Sequence, residues 1–471
     1  MTPTRNAEAA MRDELLLGID LGTSSIKANA IDRHGRSIGI GVAPTPFATS
    51  AHGVEMSTEA LFSAIQAAIA DLGVLATRVA AVGVASMGET GTIIRPDGPS
   101  DLPLVAWHDS RGAEIVDAVT AHFGSEEIYR RTGRAPRSVT SIAKLGWLLR
   151  NGHRTGGTWT GVAGLTLWRL TGALAQEQSL AASSGAFDPL SGEYDREILS
   201  FLGLDSLVWA PARIGGTAFG RVSAEGAGWS GLRAGIPVTI AGHDHPVGVI
   251  GAGGDHTEVI DSMGTGEPLV VAWAPATDAV RTHPRWPDQF GDLTITAWPG
   301  TSRHMLLWET LRPGLAMRHL RHALRVDRDD IEFAAIGVEA APLPLSVLLD
   351  LQEGVVSEEI RTLAPEVAWA GALEGYAETS ADAERRLRAL SGVSGQTLLI
   401  GGGLRSRRWV EAKIRRTRHP VAMAQEREAV SRGAGLLAGV AAGWWEPEKY
   451  PPADAVPLAP VEQAALARGH R

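Results

Sequence analysis

A chain of 471 residues with 44% hydrophobic and 21% charged side chains has the composition of a globular protein, with material for two domains or more. A formal net charge of −9 and the lack of a basic tract argue against a nucleic-acid partner. There is no cysteine, so disulfides and thiolate-held metals are excluded and the reducing cytoplasm is the expected compartment.

The polar start, MTPTRNAEAAMRDE, has no apolar signal core, and no run of 18 apolar residues follows, so neither export nor membrane insertion is expected. The first structural segment is LLLGIDLGTSSIKANAID, residues 15–32. An apolar strand runs into Asp20, a Gly-Thr-Ser-Ser turn follows, and IKANAI returns as a second strand. A plain hairpin takes Asn-Gly or Asp-Gly and has no use for a carboxylate and three hydroxyls at its tip. Small residues with exposed N–H and O–H donors beside an acid suit a phosphate and its Mg²⁺; the other reading is an ordinary polar turn.

RVAAVGVASM (78–87) reads as a buried strand. SMGETGTIIRPDG (86–98) puts Glu89 just past its end, and PLVAWHDSRG (103–112) gathers Trp107, His108, Asp109 and Arg111. Acids accept from sugar hydroxyls and an indole covers C–H faces, so these segments suit a polyhydroxylated ligand. SEEIYRRTG, VTSIAKLGWLLRNG and GLTLWRLTG have apolar residues at helical spacing, with Gly closing each.

IPVTIAGHDHPVGVIGAG (236–253) reads as a buried strand, a polar tip and a small-residue helix. Asp244 at that tip is placed for base work during phosphate transfer. Its neighbours His243 and His245 form an H-x-H pair, a poor metal signal without a third ligand at motif spacing. Asp261-Ser262-Met263-Gly264-Thr265-Gly266 then echoes the first turn, again between strand-like runs. Duplicated strand–turn–strand units of this kind would open two similar α/β domains, and their turns would grip a polyphosphate from both sides of a cleft.

A long amphipathic helix is expected over 364–390, and a small-residue helix over 429–445. Between them LLIGGGLRS (398–406) sets three glycines after a strand, where backbone approaches a flat or charged group such as adenosine. It is neither G-x-G-x-x-G nor a Walker loop, so a Rossmann site is disfavoured and any phosphate site must come from the hairpin turns. The Pro- and Ala-rich remainder is expected to wrap the surface or fray.

Together these segments resemble the FGGY family of carbohydrate kinases over roughly residues 14–443. The first turn resembles the family's first phosphate motif, WHDSRG its W-x-D-x-R sugar loop, and AGHDHPVGVIGAG its catalytic segment. DSMGTGEPLV resembles the second phosphate motif, LLIGGGLRSRRWVEAKI the adenosine motif, and AVSRGAGLLAGV the closing helix.

The resemblance implies an α/β fold with two actin/hexokinase-like (ribonuclease H-like) domains flanking an ATP/sugar cleft. It divides the chain into a sugar-side domain (14–250), a nucleotide-side domain (251–443) and a tail (444–471). It implies ATP and Mg²⁺ as cofactors, a small sugar or polyol as substrate, Asp244 as base, and Asp20 on the metal. Gly22, Thr23, Ser24, Lys27, Gly264 and Thr265 would then serve the phosphates. Gly402, Gly403 and Arg405 would lie near the adenosine, and Glu89, Trp107, Asp109, Asp244 and His245 would hold the sugar.

There are departures from the family pattern. Met87-Gly88-Glu89 stands where xylulose kinases usually carry Gln-Met-His and glycerol kinases Arg-Glu-Thr, which leaves the substrate open, with a xylulose-like pentulose as first expectation. PLPLSVLLDLQEGVVSEEI replaces a longer segment usually ending in Pro-Tyr-Leu and Gly-Glu-Arg, which leaves the oligomeric state open, a homodimer being the candidate. The alternatives are a nucleotide-switched binding protein and a catalytically silent sugar sensor on the same fold.

Overall fold

The computed structural model describes residues 13–50, 53–154, 156–274 and 292–457. It divides into two compact units. One contains the described residues up to Gly253, with Ile295–His304 and Glu428–Ala453; the other contains Gly254–Thr294, Met305–Arg427 and the described residues from Asp454 on.

In the first unit β1 (Leu15–Leu21), β2 (Ser25–Ile31) and β3 (Ser37–Pro44) form an antiparallel meander. β4 (Val79–Ser86), β5 (Gly220–Arg221) and β6 (Pro237–His243) complete a six-stranded sheet in the order β5-β6-β4-β1-β2-β3. β4 runs parallel to both β1 and β6. All seven residues of β1 are buried, as expected of a strand covered on both faces. Helix α1 (Thr58–Asp71), N-capped by Ser57, packs on the β2–β3 side, and the helix Ala429–Ala441 crosses β1, β4 and β6.

That last helix explains its own glycines and those beneath it. A Cβ at Gly18 would lie 1.7 Å from the Ser431 carbonyl oxygen, and one at Gly83 would lie 2.0 Å from that of Ala434. Backbone thus meets backbone, and only glycine permits it. The same contacts place residues 429–441 in the first unit, although the sequence reading assigned them to the second domain. The small-residue face of this helix needs a sheet carrying matching glycines, and β1 and β4 supply them.

In the second unit β7 (Val259–Ser262) and β8 (Pro268–Trp273) form an antiparallel hairpin. With β9 (Asp292–Ala297), β10 (His304–Glu309), β11 (Thr397–Ile400), β12 (Val421–Ala424) and β13 (Ala455–Pro457) the sheet order is β9-β10-β8-β7-β11-β12-β13. β7 is antiparallel to β8 and parallel to β11, just as β1 is antiparallel to β2 and parallel to β4. The echo between the two turns is therefore also an echo of topology. The tail does more than wrap: residues 455–457 add an antiparallel edge strand to β12. Helices α2 (Pro313–Leu324), α3 (Arg328–Ala334), the 27-residue α4 (Pro365–Ser391) and α5 (Arg407–Arg416) enclose a second apolar core that includes Trp369, Tyr376 and Trp409.

Candidate active site

Asp20 is the penultimate residue of β1, and its Oδ1 is buried without a hydrogen-bond partner. Burial pushes its carboxyl up to about 7, with the charges of Asp244 and Glu428 adding to the rise and that of Lys27 opposing it. Lys27 lies directly opposite on β2 and donates to Glu428 Oε2 at 2.6 Å. The turn is closed by Gly22 N to Ser25 O, and Thr45 holds it from outside through Gly22 O and Ser24 O. Trp107 Nε1 donates to Thr23 Oγ1 at 2.9 Å, so the aromatic loop reaches the phosphate-type turn. Ser24 is exposed.

Asp244 begins the helix Asp244–Gly251 directly after β6. Its Oδ1 accepts from His245 N at 2.7 Å and lies 3.2 Å from His243 Nε2, while the side chain keeps 22% of its surface exposed. The strand end carrying it is irregular. Register with β4 shifts between Ile240 and Gly242, and Gly242 has a φ of +139°. His243 N donates into that distortion, to Ser179 Oγ at 2.9 Å. Ser179 in turn donates to Glu177 Oε2, which also accepts from Ser179 N and Leu180 N. Glu177 is wholly buried, and burial pushes its carboxyl up to about 7. The Glu177–Ser179 pair aims the bulge that presents Asp244, as bulges beside reaction centres do. No motif marks QEQSLAASSG in the sequence; its signal is an acid followed two residues later by a serine, an N-cap pattern ahead of a small-residue helix.

Glu89 has a φ of +48°, uncommon for a residue with a Cβ and a marker of stored strain. It is held there from three directions. Its N–H donates to Ser183 Oγ, its carbonyl accepts from Ser141 Oγ, and its carboxylate faces Arg134 Nη1 at 3.4 Å. A Cβ on Gly88 would lie 3.2 Å from His243 Nε2, which places Glu89 near the strand end carrying Asp244.

Asp109 is engaged within its own loop. It accepts from Val54 N, Arg111 N, Arg111 Nε and Arg111 Nη2, which fills the lone-pair sites of a carboxylate. Burial alone would raise its carboxyl, but these hydrogen bonds and the Arg111 charge pull it down to about 2. Lys144 donates to Asp109 O and, at 2.9 Å, to Arg111 O, so the loop backbone is pinned from below. Asp109 thus shapes the loop that carries Trp107. His245 is exposed beside Asp244.

In the second unit Gly264, Thr265, Gly402, Gly403 and Arg405 line one pocket of about 370 Å³, with Trp369 and Trp409 among its walls. A Cβ on Gly403 would lie 2.6 Å from both the Met263 and Trp409 side chains, so the glycine turn after β11 presses against the turn after β7. Ser406 Oγ donates to Glu332 Oε2 at 2.6 Å at the same pocket. Among the described residues no group of three His, Asp or Glu side chains is arranged to hold a metal alone. Nor is any helix long and apolar enough to cross a membrane.

Asp20 and Glu177 share one pH signature. Each holds its proton more tightly folded than unfolded, so the stability present below about pH 4 is lost as pH rises through about 7. Each group contributes up to about 1.4 kcal/mol per pH unit across that window. The melting temperature of the ligand-free protein should fall between pH 5 and pH 8, and Glu177→Gln should flatten the slope. Differential scanning calorimetry at fixed ionic strength checks this; a flat profile in the unaltered protein would contradict the assignment of both carboxyls.

The fold is of the actin/hexokinase-like class. Residues 15–251 match the FGGY family of carbohydrate kinases, N-terminal domain. The chain is 22% identical over 457 residues to the L-fuculokinase of Salmonella typhi, covering 92% of this chain and 93% of that protein. It is 25% identical over 474 residues to the autoinducer-2 kinase of Salmonella typhimurium, covering 91% and 86%. The xylulose kinase structure from Rhodospirillum rubrum superposes with a TM-score of 0.80 at 20% identity, covering 97% of this chain and 96% of that one. The chain belongs to the FGGY family of carbohydrate kinases and is an ATP-dependent sugar kinase, with an alcohol group as phosphoryl acceptor.

Proposed function

We propose that this kinase transfers the γ-phosphoryl group of ATP to a terminal hydroxyl of a small ketose or polyol in the cytoplasm, with a xylulose-like pentulose as the first candidate. The observation carrying this reading is the pair of acids Asp20 and Asp244, one orphaned and buried, the other braced at a strand end with its side chain partly open. Asp244 accepts the proton of the sugar hydroxyl as its oxygen bonds to the γ-phosphorus and the bond to the leaving ADP oxygen breaks. The proton then returns to solvent. Glu177 and Ser179 keep Asp244 aimed.

Mg²⁺ fits the Asp20 end of this arrangement. An unpartnered carboxylate oxygen, destabilised by burial and by a second acid, lacks positive charge. Asp20 would hold the ion, most of whose remaining ligands are water and phosphate oxygen in sites of this kind, and the ion would supply charge neutralisation for the phosphates. Thr23, Ser24, Lys27, Gly22, Gly264 and Thr265 serve the phosphates, and Gly402, Gly403 and Arg405 the adenosine. Trp107 and Glu89 contact the sugar with His245 beside them, and Asp109 acts through the Trp107 loop.

An ADP-release screen tests the substrate over pentuloses, hexuloses, L-fuculose, autoinducer-2, tetritols, glycerol and aldonic acids. Turnover confined to pentuloses supports the first candidate; turnover confined to another class replaces it.

Glu89 should decide which substrate is taken. As an ionised acid it only accepts hydrogen bonds, so it demands a sugar O–H, and a site built on such a bond penalises an analogue lacking it. Glu89→Ala should therefore raise KM strongly for the best substrate and little for its deoxy analogue, with Glu89→Gln milder. Equal losses in kcat/KM on both would show instead that Glu89 only neutralises Arg134.

A further inference from the structure

The two echoing turns differ in what answers their acid. Each acid has a buried Oδ1 without a hydrogen-bond partner, but Asp261, at the matching penultimate position of β7, meets a buried ammonium through its Oδ2. Lys413 Nζ lies 2.6 Å from Asp261 Oδ2 and also contacts Glu267 Oε1 and Ser380 Oγ. Asp261 precedes the turn and Glu267 follows it, so one ammonium holds both ends of Met263–Gly266. Ser380 belongs to α4 and Lys413 to α5, which fastens the turn to two helices.

All four residues are under 7% exposed. Burial would pull the ammonium of Lys413 down, but the charges of Asp261 and Glu267 hold it up. Glu267 is held well above the usual carboxylate range by burial.

Burying such a cluster is weak as a stabilising device, because apolar residues of the same volume usually do as well or better. Its location argues for another use. The bracketed turn lines the pocket with Gly402 and Gly403, and Met263 O accepts from Gly403 N at 2.7 Å. We propose that Lys413 is a positioning residue of phosphoryl transfer, a built-in cation that fixes the turn Met263–Gly266 in the shape that takes the donor's phosphates. Where the first turn recruits its counter-ion with the nucleotide, the second carries its own. The inference rests on the reading of Gly264 and Thr265 as phosphate contacts.

The test compares the unaltered enzyme with Lys413→Met and with the triple variant Asp261→Asn, Glu267→Gln, Lys413→Met, in which every charged group of the cluster is replaced. The single change leaves buried acid without a partner and is expected to lower the melting temperature severely; the triple variant removes that penalty. ADP affinity by calorimetry, KM for ATP, KM for the sugar and the melting temperature are measured on each. The triple variant should melt near the unaltered protein, bind ADP and ATP about 10- to 100-fold more weakly, and keep its KM for the sugar. A triple variant that recovers stability and nucleotide affinity together overturns the proposal, since Lys413 would then serve only to neutralise its neighbours. An unaltered protein that bound no nucleotide would remove the phosphate reading of the turn itself, an outcome distinct from the first.

Discussion

Asp244→Asn should lower kcat by about 10²- to 10⁴-fold, the usual contribution of a positioned general base. The substitution is nearly isosteric. Asparagine Oδ1 can still accept from His245 N, so the start of the helix Asp244–Gly251 should persist. What is lost is a group able to take a proton. The pocket proposed for the nucleotide lies in the second unit and shares no residue with this strand end, so ADP affinity should hold. Single-turnover kinetics and titration calorimetry on one preparation separate the two effects. A variant that phosphorylates sugar at nearly the normal rate would show that Asp244 positions the substrate and does not take its proton. Ser179→Ala should reproduce part of the loss with Asp244 intact, because the bulge at Gly242 then loses the hydroxyl that accepts from His243 N.

The strand–turn–strand units were legible in the sequence because their information is local. An apolar run ending in an acid and a Gly-Thr turn sets strand, turn and side-chain direction within a few residues, and β1–β2 and β7–β8 form as read. The long-range ion pairs beside those turns were not legible. Lys413 lies 152 residues from Asp261, and Glu428 lies 401 from Lys27, so nothing in the spacing connects them. The same holds for the helix Ala429–Ala441, whose glycines announce close packing but not the strand they pack upon. Asp109 shows a further limit. The loop reads as acid beside indole, yet the acid's oxygens serve Arg111 and Val54, because W-x-D-x-R spacing lets the arginine fold back onto the acid two residues before it.

Asp20→Asn should stabilise the ligand-free protein while disabling it. The native carboxylate is buried and its Oδ1 has no donor, with the charge of Asp244 acting against ionisation, so the folded state is strained by it at any pH where Asp20 is ionised when unfolded. A neutral amide removes that cost. The sign fixes where the gain appears: below about pH 4 the acid is protonated in both states and the substitution changes little, whereas the gain grows as pH rises and is complete above about 7. The same substitution removes the anionic oxygen that would hold Mg²⁺, and kcat/KM for ATP should fall by about 10²- to 10³-fold, comparable to losing one preorganised electrostatic contact in a reaction centre. Raising free Mg²⁺ should not restore it. Melting temperature at pH 4 and pH 8, set beside activity over a Mg²⁺ titration, separates the possibilities. A drop in stability at pH 8 would mean that Asp20 has a structural donor in solution. Full activity with higher stability would mean that the carboxylate is no ligand at all. A destabilising acid kept at the penultimate position of a wholly buried strand, and needed there for the metal, would set stability and activity in opposition at one atom.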